Sequence, residues 1–90
     1  MKYTVTWLPD ADQELADLWL NAADRDAVSQ AANAIERCLR KDPLQTGESR
    51  SAATRIAFLP PLAFLFHVAD DDRLVEIVIV HASCNKEGIG

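Results

Sequence analysis

Apolar residues recur along this chain with two different periods, and the change of period divides it into elements. From Lys2 to Trp7 the residues alternate, with Tyr3, Val5 and Trp7 set against Lys2, Thr4 and Thr6. That is the period of a half-buried strand. Leu8-Pro9 ends the alternation, and Pro9 suits the first turn of a helix because it has no N–H to leave unpaired. Asp10, Asp12 and Glu14 crowd that turn, where the helix dipole favours negative charge. Ala11, Leu15, Leu18, Trp19 and Ala22 then fall on one helical stripe. Asn21 to Asp24 interrupts the stripe, and Asp24 is a good N-cap for a second helix. That helix carries Val28, Ala31, Ala32, Ile35 and Leu39 on one face, with Arg37, Arg40 and Lys41 near its C-terminus. Asp42-Pro43 closes it, which predicts a hairpin of two antiparallel helices.

Leu44 to Thr54 is polar and reads as a loop. Three strands are predicted after it, over Arg55–Leu59, Leu62–Ala69 and Leu74–His81, with Pro60-Pro61 and Asp70-Asp71-Asp72 as their turns. The order β-α-α-β-β-β predicts an α+β domain, its N-terminal strand and helix hairpin packed on one face of a mainly antiparallel sheet. Residues 1–84 form that domain, and residues 85–90 are expected to be a flexible tail.

Alternation assigns Ile56, Phe58, Leu62, Phe64, Phe66, Val68, Val75, Ile77 and Ile79 to the face beneath the helices. The opposite face then holds Arg55, Ala57, Leu59, Ala63, Leu65, His67, Leu74, Glu76, Val78 and Val80. Its middle is apolar and no segment remains to cover it, which marks a partner site.

Composition narrows the classes. Ninety residues make one domain, and 49% hydrophobic with 26% charged residues is a globular composition. No apolar run approaches the roughly 18 residues of a membrane span. The N-terminus lacks a signal-peptide layout, so a cytoplasmic location and reduced Cys38 and Cys84 are expected. Asp and Glu outnumber Lys and Arg by 14 to 9, for a net charge of −5. Any nucleic-acid-binding site must therefore be a local basic cluster.

Several motifs together resemble the RelE/ParE family of bacterial type II toxins. They are the opening strand YTVTW, the Pro-started helix PDADQELADLWL and the helix end RCLRKDP. After these come the Gly-containing loop TGESRSAATRI, the hairpin FLFHVADDDRLVEIVIV and a His just past the last strand. The resemblance runs from Met1 to about Cys84. It implies growth inhibition neutralised by a cognate antitoxin, whose extended or helical segment wraps the toxin. For the cellular target it implies either DNA gyrase, as for ParE-like members, or messenger RNA cleaved on the ribosome, as for RelE-like members. A non-toxic antitoxin-binding relative is the third reading, and a homodimer is compatible with all three. No cofactor is implied.

Cleaving RNA through its 2′-OH needs a base, an acid and cations on the phosphate. Arg50, Arg55, His67 and His81 are the candidates for a metal-independent endoribonuclease. The family pattern puts basic residues on the open sheet face. Arg55 fits it, whereas Ala57, Ala63 and the ending His81-Ala82-Ser83-Cys84 lack the expected cations. ParE-like inhibition is accordingly favoured. The apolar open face assigns antitoxin binding to Leu59, Leu65, His67, Val78 and Val80. His81 and Cys84 are too few for a metal site, so none is expected. Arg55 has a plainer alternative, an ion pair with Glu48 or Glu76.

Overall fold

A computed structural model describes residues 2–51 and 53–82. The predicted tail at 85–90, and Cys84 with it, lies outside the described residues. The elements are β1 (Thr4–Trp7), α1 (Pro9–Asn21), α2 (Arg25–Lys41), β2 (Glu48–Ser49), β3 (Thr54–Leu59), β4 (Leu62–Ala69) and β5 (Leu74–Ala82). Short 3-10 turns occupy Pro43–Gln45 and Asp70–Asp72. The sheet order is β1-β5-β4-β3-β2, with β1 parallel to β5 and every other pair antiparallel. This is the expected β-α-α-β-β-β architecture, with β2 as a two-residue addition inside the stretch read as a loop.

Local chemistry sets the helix ends. Pro9 opens α1 with Asp10 and Asp12 in its first turn. The Asp24 carboxylate accepts the Ala27 N–H at 3.1 Å and starts α2. Arg25 closes α1 by donating to the carbonyls of Trp19 (3.2 Å) and Leu20 (3.1 Å). It also lies 4.7 Å from the centre of the Trp19 ring.

The core lies between the helices and one face of the sheet. Ala11 of α1 and Val28, Ala31, Ile35 and Leu39 of α2 meet Ala57, Leu62, Phe64, Phe66, Val68, Val75, Ile77 and Val80. Each large side chain among them contributes about 1.5–3 kcal/mol by leaving water. Beyond the end of β1, the outer edge of β5 is covered by α1. The Glu14 carboxylate accepts the Val80 N–H there at 3.0 Å, satisfying a backbone donor with no strand beside it.

Two face assignments are corrected. In the β3–β4 hairpin Leu59 stands opposite Leu62, Ala57 opposite Phe64 and Arg55 opposite Phe66. Opposed residues share a face, so Arg55, Ala57 and Leu59 lie on the helix side while Ile56 and Phe58 lie on the open side. Ala57 is buried and Phe58 is 58% exposed, the reverse of the alternation reading. The two-residue turn fixes this register, and each strand's own alternation is blind to it. In β5 the register slips between Leu65/Phe66: Leu65 faces Ile79 but Phe66 faces Ile77. The extra residue, Val78, is a bulge. It passes the core position from Ile79 to Val80, which is 1% exposed.

Candidate functional site

The open face is built of three successive lines of residues running across the strands. The first contains Thr6, Glu76, His67 and Thr54, and Arg50 adjoins it through its N–H to the Thr54 carbonyl at 2.8 Å. The second contains Ile79, Leu65, Ile56 and Glu48. The third contains His81, Ala63 and Phe58. Ile79, Leu65, Ile56 and Ala63 are half-buried, and the apolar ring of Phe58 is exposed. An apolar middle is thus bordered by polar ends: Arg50, His67 and Glu76 at one, His81 at the other.

The structure divides the candidate antitoxin-binding residues between the two faces. Leu65 and His67 stand on the open face. Val78, the bulge residue, is half-buried. Val80 belongs to the core, and Leu59 packs against it from the helix side. Ile56, Phe58 and Ile79 take their places on the open face.

The four catalytic candidates do not share one centre. Arg55 emerges on the helix side, where its Nε donates to the Thr46 carbonyl (2.9 Å) and its Nη2 to the Gly47 carbonyl (3.0 Å). It holds the loop ahead of β2 rather than pairing with Glu48 or Glu76. Gly47 makes that loop possible, since its φ is +69° and a Cβ there would stand 2.1 Å from the Ile56 carbonyl oxygen. His67 and His81 lie two lines apart. His81 stands opposite Ala63, four residues along β4 from His67. At about 3.3 Å per residue this separates the lines by roughly 13 Å, so side chains standing perpendicular to the sheet do not bring a base and an acid to one phosphate. His67 does face a carboxylate-bearing residue, Glu76, directly across the strands. Among the described residues no group of three or more His, Cys, Asp and Glu is placed to hold a metal ion.

A second concave surface lies on the other side, between α1, α2 and β1. Trp7, Leu15, Trp19, Leu20, Val28 and Ala32 line much of a groove of about 650 Å³, with Asp12 and Glu36 also at its walls. The Glu36 carboxylate accepts from the Trp7 indole (3.0 Å) and from Arg40 (2.9 Å), fixing the groove floor. Trp7 meets Phe64 edge-on at 6.0 Å, which ties the floor to the core. Trp19 is 39% exposed and its indole donates to Ser29 at 3.1 Å. Periodicity places Trp7 on a half-buried strand and Trp19 on an apolar helical stripe, but only the crossing of the two helices creates the groove.

No protein-family model matches the chain, and no curated protein matches its sequence. Solved structures do match its shape. The Mycobacterium tuberculosis toxin–antitoxin complex RelBE2 contains a chain that superposes with a TM-score of 0.78 at 20% identity, over 94% of this chain and 95% of that one. A chain of the chromosomal ParDE toxin–antitoxin system of P. aeruginosa gives 0.68 at 15% identity, over 90% and 96%. The isolated E. coli RelE toxin gives 0.68 at 15% identity, over 94% and 88%. This chain therefore has the RelE/ParE-like fold.

Proposed function

We propose that this chain is the toxin of a type II toxin–antitoxin pair, neutralised by a cognate antitoxin, and that it acts by binding a protein target in the ParE-like manner. The observation that carries this reading is the dispersal of the catalytic candidates. Arg55 is spent on two backbone carbonyls on the helix side, and His67 and His81 stand two lines apart. RNA cleavage needs its base, its acid and its phosphate-binding cations around a single phosphate. Inhibition by binding, as with DNA gyrase, needs none of them.

The antitoxin reading is supported by the apolar middle of the open face. Ile56, Phe58, Leu65 and Ile79 form a patch that no described element covers, and a hydrophobic segment of the antitoxin would bury it. The fold likeness to chains from RelBE2 and ParDE supports the same partner.

Induced expression of the chain alone, with pulse-labelling of new DNA and new protein, tests the target. The expected result is an early fall in DNA synthesis, together with loss of gyrase supercoiling activity when purified chain is added. A ribonuclease reading retains one observation, the alignment of Arg50, Thr54, His67 and Glu76 along one end of the open face. Protein synthesis falling first, with cleaved messages, would shift the function to that line. If neither synthesis falls while soluble protein accumulates, the chain is an antitoxin-binding relative without toxicity.

A further inference from the structure

Four of the nine Lys and Arg in this acidic chain gather at one pole of the molecule. Lys2, Arg37, Arg40 and Lys41 line a hollow of about 440 Å³. Arg37, Arg40 and Lys41 share one face of α2 at i, i+3 and i+4, where neighbouring side chains start about 5–6 Å apart. Lys2 arrives from the segment leading into β1, held there by the Tyr3 N–H, which donates to the Arg40 carbonyl at 2.8 Å.

The C-terminal dipole of α2 accounts for cations in its last turn, Arg40 and Lys41. It does not account for Lys2, which belongs to another segment. Glu36 pairs with Arg40 at 2.9 Å, and among the described residues no other ion pair engages the four. The remaining described cations, Arg50 aside, are occupied: Arg25 on Trp19, Arg55 on the loop carbonyls, Arg73 beside Asp70. Like charges drawn together in a chain with 14 Asp and Glu need a counter-charge, and among the described residues only Glu36 forms an ion pair with them.

We propose that this hollow binds the phosphodiester backbone of a nucleic acid. A polyphosphate offers a negative charge at every nucleotide, which matches cations repeated along one helix face. An acidic peptide matches only where its sequence happens to cluster carboxylates. Arginine forks also donate to two phosphate oxygens at a time. The site lies on the helix side of the sheet, so a nucleic acid held there leaves the open face clear for a protein partner. The net charge of −5 opposes a polyanion overall, making the contact weak, local and sensitive to salt. With Arg40 shared by Glu36, three free cations give a log–log salt slope of about −2 to −3.

Fluorescence anisotropy of the full chain tests this, with labelled single-stranded RNA and labelled duplex DNA titrated between about 50 and about 200 mM salt. Arg37→Gln with Lys41→Gln should weaken binding roughly tenfold at the lower salt and flatten the slope by about 2. Ala23→Glu changes the net charge by −1, as Lys2→Gln does, at an exposed position ahead of the N-terminus of α2, the end of that helix away from the hollow, and should change the affinity less than about twofold. Lys2→Gln, outside every helix and strand, gives an independent variant that should flatten the slope by about 1. The RNA and DNA arms show which backbone is preferred. The proposal is overturned if neither binds at low salt, if the hollow variants bind like the parent, or if polyglutamate binds more tightly than both.

Discussion

The two faces of this sheet are made from the same strands and carry similar side chains, yet they have opposite fates. On one face Phe64, Phe66, Val75, Ile77 and Val80 lie under α1 and α2, each at most 1% exposed. On the other, Ile56, Leu65 and Ile79 are half-buried and Phe58 is 58% exposed. Hydrophobicity therefore does not by itself indicate what a strand residue is for. A covered apolar face contributes to the stability of the fold. An uncovered one keeps its burial free energy for a partner.

The largest effect that separates the faces comes from truncating one Phe on each. Phe64→Ala removes a fully buried ring and should cost about 3–5 kcal/mol, read as a lower urea midpoint. That is a large share of the stability of a domain this small, about 5–13 kcal/mol. Phe58→Asp should change stability by less than about 0.5 kcal/mol and abolish capture of the cognate antitoxin. If Phe58→Asp unfolded the chain as readily as Phe64→Ala, the open face would already be covered in the free protein. Loss of antitoxin capture with an unchanged urea midpoint would establish the open face as the interface.

A smaller effect concerns the border between the faces at the β2–β3 edge. Gly47→Ala places a side chain on a backbone with φ of +69° and drives its Cβ towards the Ile56 carbonyl. The left-handed conformation alone costs about 1–2 kcal/mol, and the displaced carbonyl adds to it. Arg55→Ala removes both hydrogen bonds to the same loop and should cost about 1–2 kcal/mol. The two losses should be less than additive in the double variant, because either one frees the loop. Full additivity in chemical denaturation would mean that Arg55 does not hold the loop. Its sequence resemblance to a phosphate-contacting position would then regain weight.

The elements were readable from the chain almost to their ends, because periodicity, Pro9 and Asp24 are local signals. What failed was parity. The alternation of β3 alone assigns Ile56 and Phe58 to the core, yet the turn at Pro60-Pro61 sets Leu59 against Leu62 and reverses the assignment. Strict alternation puts Val80 on the open face because it passes over the bulge at Val78, and a bulge leaves no mark in a run of Val and Ile. The candidate site inherited both errors. Leu65 and His67 stand on the open face, while Leu59 and Val80 do not. Arg55 shows the same dependence, since one residue of parity takes its guanidinium from the open face to the loop carbonyls. The helix groove and the basic hollow depend on where α1, α2 and β1 meet. No single segment announces either of them.

The smallest effect lies at the polar rim of the covered face. The Tyr3 hydroxyl donates to the Asp70 carboxylate, while Arg73 stands 5.5 Å from the ring centre and pairs with Asp70 at 3.7 Å. Ionising Tyr3 would break the bond to Asp70 and bring two negative charges together, so its pKa is raised from the ordinary value of 10.0, with Arg73 opposing part of the rise. Because the folded pKa lies above the unfolded one, the stabilisation is complete below about pH 10 and is lost as pH rises through the folded value. Tyr3 is the only tyrosine in the chain, so an ultraviolet titration of phenolate reports on it alone. Its midpoint should lie above 10 and fall in Asp70→Asn, where the hydroxyl keeps a partner but loses the charge. The corresponding carboxylate-to-amide substitution on the open-face border, Glu76→Gln, should leave that midpoint unmoved. A matching shift from Glu76→Gln would mean that the two faces are electrostatically coupled through β1 and β5, and the separation drawn between them would have to be narrowed.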